Sequence, residues 1–131
     1  RTQQINIFLI NNSLYFVDLP GYGYAKLPDK FKNSLRAMVN WYFFVSDCQQ
    51  KKVVLIIDAN IGPTKDDLDI LRALEDCKKD IIIVANKTDK IKQAKYKEQF
   101  KKIKEIVGDH QVIPYSAKKK IGAKELLKEI L

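Results

Sequence analysis

Two unbroken apolar runs constrain this chain more than any other feature. Residues 53–57 read Val-Val-Leu-Ile-Ile and residues 81–84 read Ile-Ile-Ile-Val, with no polar residue alternating between them. Such runs suit strands buried on both faces of a parallel sheet. Parallel neighbours need a crossover, and the segment between the runs supplies one. It starts at Thr64, places Asp66 and Asp67 in a first helical turn where carboxylates meet the positive end of the macrodipole, and carries Leu68, Leu71 and Leu74 at helical spacing.

The rest of the chain continues the alternation. Residues 5–10 and 14–18 are short apolar runs joined by Asn11, Asn12 and Ser13, and asparagine tolerates the positive φ of a tight antiparallel hairpin. Phe31, Leu35, Met38, Val39 and Tyr42 form one helical stripe that Asp29 is expected to cap. Tyr96, Phe100, Ile103 and Val107 form another, stopped by Gly108. A weaker strand at residues 112–114 and a last helix after Gly122, ending with Leu126, Leu127 and Ile130, complete the series. Strands and helices in this order predict an α/β sandwich whose ligand loops lie at the strand C-termini.

At 131 residues the chain has the size of one domain, and 46% apolar with 31% charged residues excludes collagen-like and wholly disordered classes. No apolar run approaches the roughly 18 residues that cross a bilayer, and no signal-peptide pattern opens the chain, so no membrane partner and a cytoplasmic location are expected. Cys48 and Cys77 lack CxxC spacing and read as reduced structural thiols. The net charge of +8 is uneven, because residues 86–131 hold 13 of the basic side chains, all Lys, against 6 carboxylates. That asymmetry fits a polyanion such as RNA, met through its phosphates, and it equally fits a solvated lysine face.

Three loops at strand ends carry the chemistry. The first is Asp18-Leu19-Pro20-Gly21, followed by Tyr22-Gly23-Tyr24. A carboxylate at a strand end with a glycine three residues on suits a hydrated Mg2+ and a terminal phosphate, although DxxG alone also describes a Pro-Gly turn. The second is Asn86-Lys87-Thr88-Asp89. A carboxylate such as Asp89 can accept two parallel hydrogen bonds from guanine N1–H and its exocyclic amine, a donor pair that adenine lacks. The Lys87 stem can lie along a base face, and the Asn86 amide can tie neighbouring loops together. The third is Ser116-Ala117-Lys118, where the Ala117 N–H can reach guanine O6 and Lys118 can cover the other base face.

In this order the loops resemble the third, fourth and fifth motifs of translation-factor-class P-loop GTPases. The stretch from Val17 to Pro28, Val-Asp-Leu-Pro-Gly-Tyr-Gly-Tyr-Ala-Lys-Leu-Pro, resembles most closely the EngB (YihA/YsxC) ribosome-biogenesis GTPases of the TrmE-Era-EngA-EngB-septin-like class. The resemblance covers essentially the whole chain. It implies a three-layer, Ras-like P-loop GTPase sandwich, with a mixed sheet that carries one antiparallel edge hairpin. It also implies GTP or GDP as ligand, Mg2+ held by Thr2 and Asp18, Gly21 as γ-phosphate sensor, and a monomer that works on ribosomal RNA or the large ribosomal subunit.

The sequence departs from that family in two ways. No G-x-x-x-x-G-K-[ST] occurs, the glycines standing at positions 21, 23, 62, 108 and 122. Together with a start at Arg1, this leads to the expectation of a single GTPase domain over residues 1–131 that is incomplete at its N-terminus, with a central strand and the phosphate loop upstream. Second, Tyr22 stands where many GTPases place the glutamine that orients the attacking water, which implies slow intrinsic hydrolysis. Trp41-Tyr42-Phe43-Phe44-Val45 reads as core packing or, alternatively, as a partner surface coupled to the switch, His110 takes no catalytic part, and Asp58 is more structural than catalytic. The competing reading is a basic RNA- or ribosome-binding module that uses the scaffold without nucleotide.

Overall fold

The computed structural model describes residues 4–21 and 29–131, in two compact units, Arg1–Gln49 and Gln50–Leu131. In the first, β1 (Asn6–Ile10) pairs antiparallel with β2 (Leu14–Asp18), from Ile10 opposite Leu14 to Asn6 opposite Asp18. The turn uses its asparagines as expected, Asn11 and Asn12 adopting φ of 52° and 53° while the Ser13 N–H donates to Ile10 O at 3.0 Å. Helix α1 (Asp29–Asn40) buries Leu35 and Val39. Two expectations change here. Asp29 lies within the helix, in its first described turn, where its charge suits the macrodipole, rather than at a cap, and Phe31 is exposed.

A π-helical turn, Trp41–Val45, follows α1 and is closed by the Ser46 N–H on Trp41 O at 2.7 Å. The wide turn splits the aromatic cluster. Tyr42 is buried and meets Phe43 edge-on at a centroid distance of 5.1 Å, whereas Trp41 and Val45 are exposed, so only part of the cluster is core.

The second unit is a parallel sheet in the order β3 (Val53–Asp58), β4 (Ile81–Asn86), β5 (Gln111–Pro114). Central β4 is buried from Ile81 through Ala85, as a doubly covered strand should be. In β3 only one face is buried: Leu55 and Ile57 are covered while Ile56 is 62% exposed, so the expectation of burial on both faces holds for one of the two runs. Among the described residues the hairpin and the parallel strands form two separate sheets rather than one mixed sheet, because no ladder joins β2 to β3.

Helix α2 (Lys65–Asp76) opens with a reciprocal cap. The Asp67 N–H donates to Thr64 Oγ1 at 3.1 Å and the Thr64 N–H to Asp67 Oδ2 at 2.9 Å. Leu71 and Leu74 are buried in the core, as are Ile103 and Val107 of α3 (Tyr96–Val107), which Gly108 ends at φ 84°. Helix α4 (Ala123–Ile130) has no buried residue and leaves Leu127 exposed. Cys48 and Cys77 are both exposed and share no disulfide among the described residues. Among the described residues, no helix is long and apolar enough to cross a membrane.

Candidate functional site

Parallel strands in register deliver their C-terminal residues side by side. Asp58 of β3 is the partner of Asn86 of β4, and Ala85 is the partner of Pro114 of β5, so the loops after β4 and β5 start as neighbours. Lys87 leaves β4 in the left-handed region at φ 70°, a conformation that costs a non-glycine residue and must be held by its surroundings. A 3-10 turn, Thr88–Lys90, follows and presents Asp89.

Hydrogen bonds join the two loops into one unit. Both the N–H and the hydroxyl of buried Thr88 donate to Tyr115 O, each at 3.1 Å. The Ser116 hydroxyl donates to Asp89 Oδ1 at 2.7 Å and accepts the Lys119 N–H at 3.0 Å. The Ala117 N–H donates to Asn86 Oδ1 at 3.2 Å. Ser116 itself is fully buried and exchanges two backbone bonds of 3.0 Å with Ile121, which closes the second loop on itself. Gly122 makes the closure possible: its φ is +92°, and a Cβ there would stand 2.4 Å from Pro114 O.

Electrostatics follow from this geometry. The Ser116 hydroxyl bond is the main cause that holds the Asp89 carboxyl below its ordinary 3.8; burial opposes it, and a backbone N–H, Lys118 and Lys90 add to it. Asp89 is therefore ionised near neutrality, with Oδ1 fixed by serine. An oriented carboxylate of this kind can accept from a pair of N–H donors on a planar base.

A third loop supports Lys87. Its Nζ lies 3.2 Å from Asp58 Oδ2, while Asp58 Oδ1 accepts the N–H groups of Asn60 at 2.9 Å and Ile61 at 3.2 Å. From α3, Gln99 Nε2 donates to Ala59 O at 2.8 Å and Asn60 O at 3.1 Å. Asp58 is thus a structural residue that anchors Lys87. No local pattern in the sequence marks this pairing or the part of Gln99.

Of the predicted site residues, the structure brings together Asn86, Lys87, Thr88, Asp89, Ser116 and Ala117 in direct contacts, with exposed Lys118 beside them. Ala117 differs from expectation in one respect, since its N–H, read as free for a base oxygen, is engaged by Asn86. Asp18, Leu19, Pro20 and Gly21 belong to the other unit, with Asp18 exposed at the end of β2 and Pro20 buried. Thr2 and Tyr22 lie outside the described residues. Among the described residues no cluster of three or more His, Cys, Asp or Glu could hold a metal. A single carboxylate at Asp18 fits Mg2+, which is commonly held by one or two carboxylates with water and phosphate completing the shell.

Two family models match the chain. That for the 50S ribosome-binding GTPases covers residues 1–87, and that for the elongation factor Tu GTP binding domain covers residues 45–131. The probable GTP-binding protein EngB of Acholeplasma laidlawii (strain PG-8A) is 39% identical over 130 residues, covering 98% of this chain and 68% of that protein. Its counterpart in Geobacillus sp. (strain WCH70) is 38% identical over 128 residues, covering 95% and 66%. The chain therefore spans about two thirds of the length of these relatives. Among solved structures, the crystal structure of a probable GTP-binding protein engB superposes with a TM-score of 0.83 at 20% identity, over 98% of this chain and 80% of that one, which shows a common fold. Era in complex with MgGDPNP and nucleotides 1506–1542 of 16S ribosomal RNA gives a TM-score of 0.75 at 26% identity, over 98% and 44%.

Proposed function

The chain belongs to the EngB family of GTP-binding proteins, and on that premise we propose that the complete protein binds GDP and GTP, hydrolyses GTP slowly, and acts as a cytoplasmic switch in assembly of the large ribosomal subunit, the 131-residue chain by itself being inactive. The single observation that carries the nucleotide reading is the Ser116 hydroxyl on Asp89 at 2.7 Å, which fixes a carboxylate at the edge where guanine would lie. In this reading Asp89 accepts guanine N1–H and the exocyclic amine, Lys87 and Lys118 cover the two base faces, Asn86 and Thr88 hold the loops, and the Ala117 N–H turns from Asn86 to O6 when the base enters. Supporting it, each of these residues stands at a strand end of a GTPase-like fold.

Asp18, Leu19, Pro20, Gly21 and Tyr22 would face the phosphates, with Thr2 and Asp18 as the protein ligands of Mg2+. The metal supplies charge neutralisation of β- and γ-oxygens. The protein's part is to place one carboxylate at the end of β2 and to offer a glycine N–H beside it. Tyr22 has no amide with which to orient water, so hydrolysis is proposed to be slow without a partner. The whole is read as a single GTPase domain of three-layer, Ras-like architecture, monomeric, with ribosomal RNA or the large subunit as partner. Era, whose solved complex contains 16S ribosomal RNA, supports a ribosomal partner by likeness.

A nucleotide titration tests this. Charge-assisted hydrogen bonds contribute about 1.5–3 kcal/mol, so GTP and GDP should bind about 10- to 100-fold more tightly than ATP, and Asp89→Asn should abolish that preference. Equal affinity for ATP and GTP would overturn the reading.

A further inference from the structure

The lysine excess of the C-terminal third is not an even coat. Residues 87–104 carry eight lysines against two carboxylates, Asp89 and Glu98, and Glu98 is already paired with Lys102 at 3.6 Å. On α3 the opposite holds for Lys97, Lys101 and Lys104, which form no ion pair among the described residues. Their spacing of four and three puts them in one row. That row is one wall of a groove of about 680 Å3 that runs past Phe100 to Gly108 and Pro114. It continues into a second hollow of about 520 Å3 beside Ile91 and Gln93, the two sharing Tyr96 and Lys97.

Tyr96 sits where the hollows meet. Its ring rests on buried Phe100 with centroids 4.7 Å apart and planes inclined by 31°, and it remains half-buried, so a rigid aromatic face is held ready at the groove floor. Glu105 and Asp109 line the same groove at its Gly108 end, beside Lys104, so the positive potential is strongest toward Tyr96 and Lys97. A row of unpaired cations beside a preformed aromatic platform has the chemistry of a site for single-stranded nucleic acid, in which phosphates follow the lysines and a base stacks on the ring. A double helix would offer no free base to Tyr96.

We propose that the groove along α3, with Lys97, Lys101 and Lys104 as phosphate contacts and Tyr96 as stacking platform, binds a single-stranded segment of RNA. The inference rests on the reading of the chain as ribosome-associated and is independent of the guanine loops. Recognition is mostly indifferent to sequence, because lysine contributes charge without the planar fork that reads base edges.

Fluorescence anisotropy of a labelled 12-nucleotide single-stranded RNA with the complete protein tests it, with GDP binding measured on the same preparations. The variant Lys97→Ala/Lys101→Ala/Lys104→Ala should reduce the salt slope of binding by about 2, since each phosphate contact on a single strand contributes about 0.7. Tyr96→Leu, which still covers Phe100, should weaken binding about 10- to 100-fold, and Tyr96→Phe should restore it. GDP affinity should stay unchanged throughout. A control of equal charge, Lys51→Ala/Lys124→Ala/Lys128→Ala, should leave most of the affinity intact. Equal losses in the two triple variants, no RNA binding by the unaltered protein, or stronger competition by duplex RNA or polyglutamate would overturn the proposal. Loss of GDP binding with the RNA pattern preserved would instead remove the nucleotide reading alone.

Discussion

Ser116 has the largest influence of any single side chain on the candidate site. It is fully buried, and its hydroxyl donates to Asp89 while accepting from the Lys119 N–H, so one atom fixes both the Asp89 carboxylate and its own loop. Ser116→Ala removes the donor to Asp89 and the acceptor of the Lys119 N–H, at a cost of about 1 kcal/mol in stability. Asp89 is then free to rotate, and guanine-nucleotide affinity should fall about 10-fold by calorimetry. The same change should raise the Asp89 pKa toward its ordinary 3.8, because the serine bond is the largest cause of the depression. A depressed carboxylate contributes stability that is present above its unfolded pKa and lost as pH falls through the folded one, so this contribution vanishes only in acid. Carbon-13 titration of Asp89 measures it. An unchanged titration in Ser116→Ala would contradict the assignment.

At the scale of elements, the closing of the loop after β5 depends on one backbone conformation. Gly122 combines φ +92° with a Cβ position 2.4 Å from Pro114 O and 3.0 Å from the Tyr115 ring. Gly122→Ala must move backbone that also carries the Tyr115 carbonyl to which Thr88 is tied, so we expect about 2–4 kcal/mol of destabilisation and a parallel loss of guanine affinity. A thermal melt of the complete protein that Gly122→Ala leaves within a degree of the unaltered one would refute this.

A second device ties α2 to the C-terminal end of α3 and the approach to β5. His110 Nε2 is bonded to Glu75 Oε2, and Arg72 Nη1 reaches both Glu75 oxygens at 2.9 Å while its Nη2 donates to Ile106 O at 2.9 Å. The His110 bond, then the Arg72 bond, are the main causes that hold Glu75 below its ordinary 4.5. The sign is that of any depressed carboxylate: the contribution is complete above about pH 4.5 and fades as pH falls through the lower folded value. Glu75→Gln should cost about 1 kcal/mol at pH 7 and progressively less on acidification, as urea denaturation at several pH values would reveal. A loss that does not vary with pH would count against the ionic origin.

Legibility in the sequence also divides along these lines. The strands, the Thr64 cap with its two acids, the Gly108 stop and the order of the three loops all follow from local pattern, because each is specified by residues adjacent in the chain. The hairpin turn followed from its two asparagines. Contacts between distant segments were hidden. The Lys87–Asp58 pair, the hold of Gln99 on the Ala59 carbonyl and the clasp at His110 each join residues about 30 to 40 positions apart, and no local period encodes them. The exposed face of β3 was misjudged for a related reason: an apolar run records that both faces suit burial, not what covers them.

At the scale of the whole molecule, the proposed base-reading loops and a phosphate cradle would be separable. Residues 1–131 hold the loops around Asp89 and Ser116, yet contain no G-x-x-x-x-G-K-[ST], the element whose backbone N–H groups and lysine cradle the phosphates. Much of the affinity of a GTPase for nucleotide comes from that cradle, and base contacts of a few kcal/mol cannot by themselves reach the roughly −8 kcal/mol of micromolar binding. The apolar surface points the same way. Ile7, Phe8, Leu9 and Tyr15 of the hairpin and Ile56 of β3 are each more than half exposed, and β3 has an unpaired edge among the described residues. Strand edges and apolar faces of this kind lower stability and invite association. The 131-residue polypeptide made by itself should therefore unfold without a sharp cooperative transition, scatter light at concentrations where a small domain is monomeric, and bind GTP more weakly than micromolar. Calorimetry, light scattering and nucleotide titration on that polypeptide decide the matter, and a cooperative melt accompanied by micromolar GTP affinity would show that the base-reading half is sufficient alone.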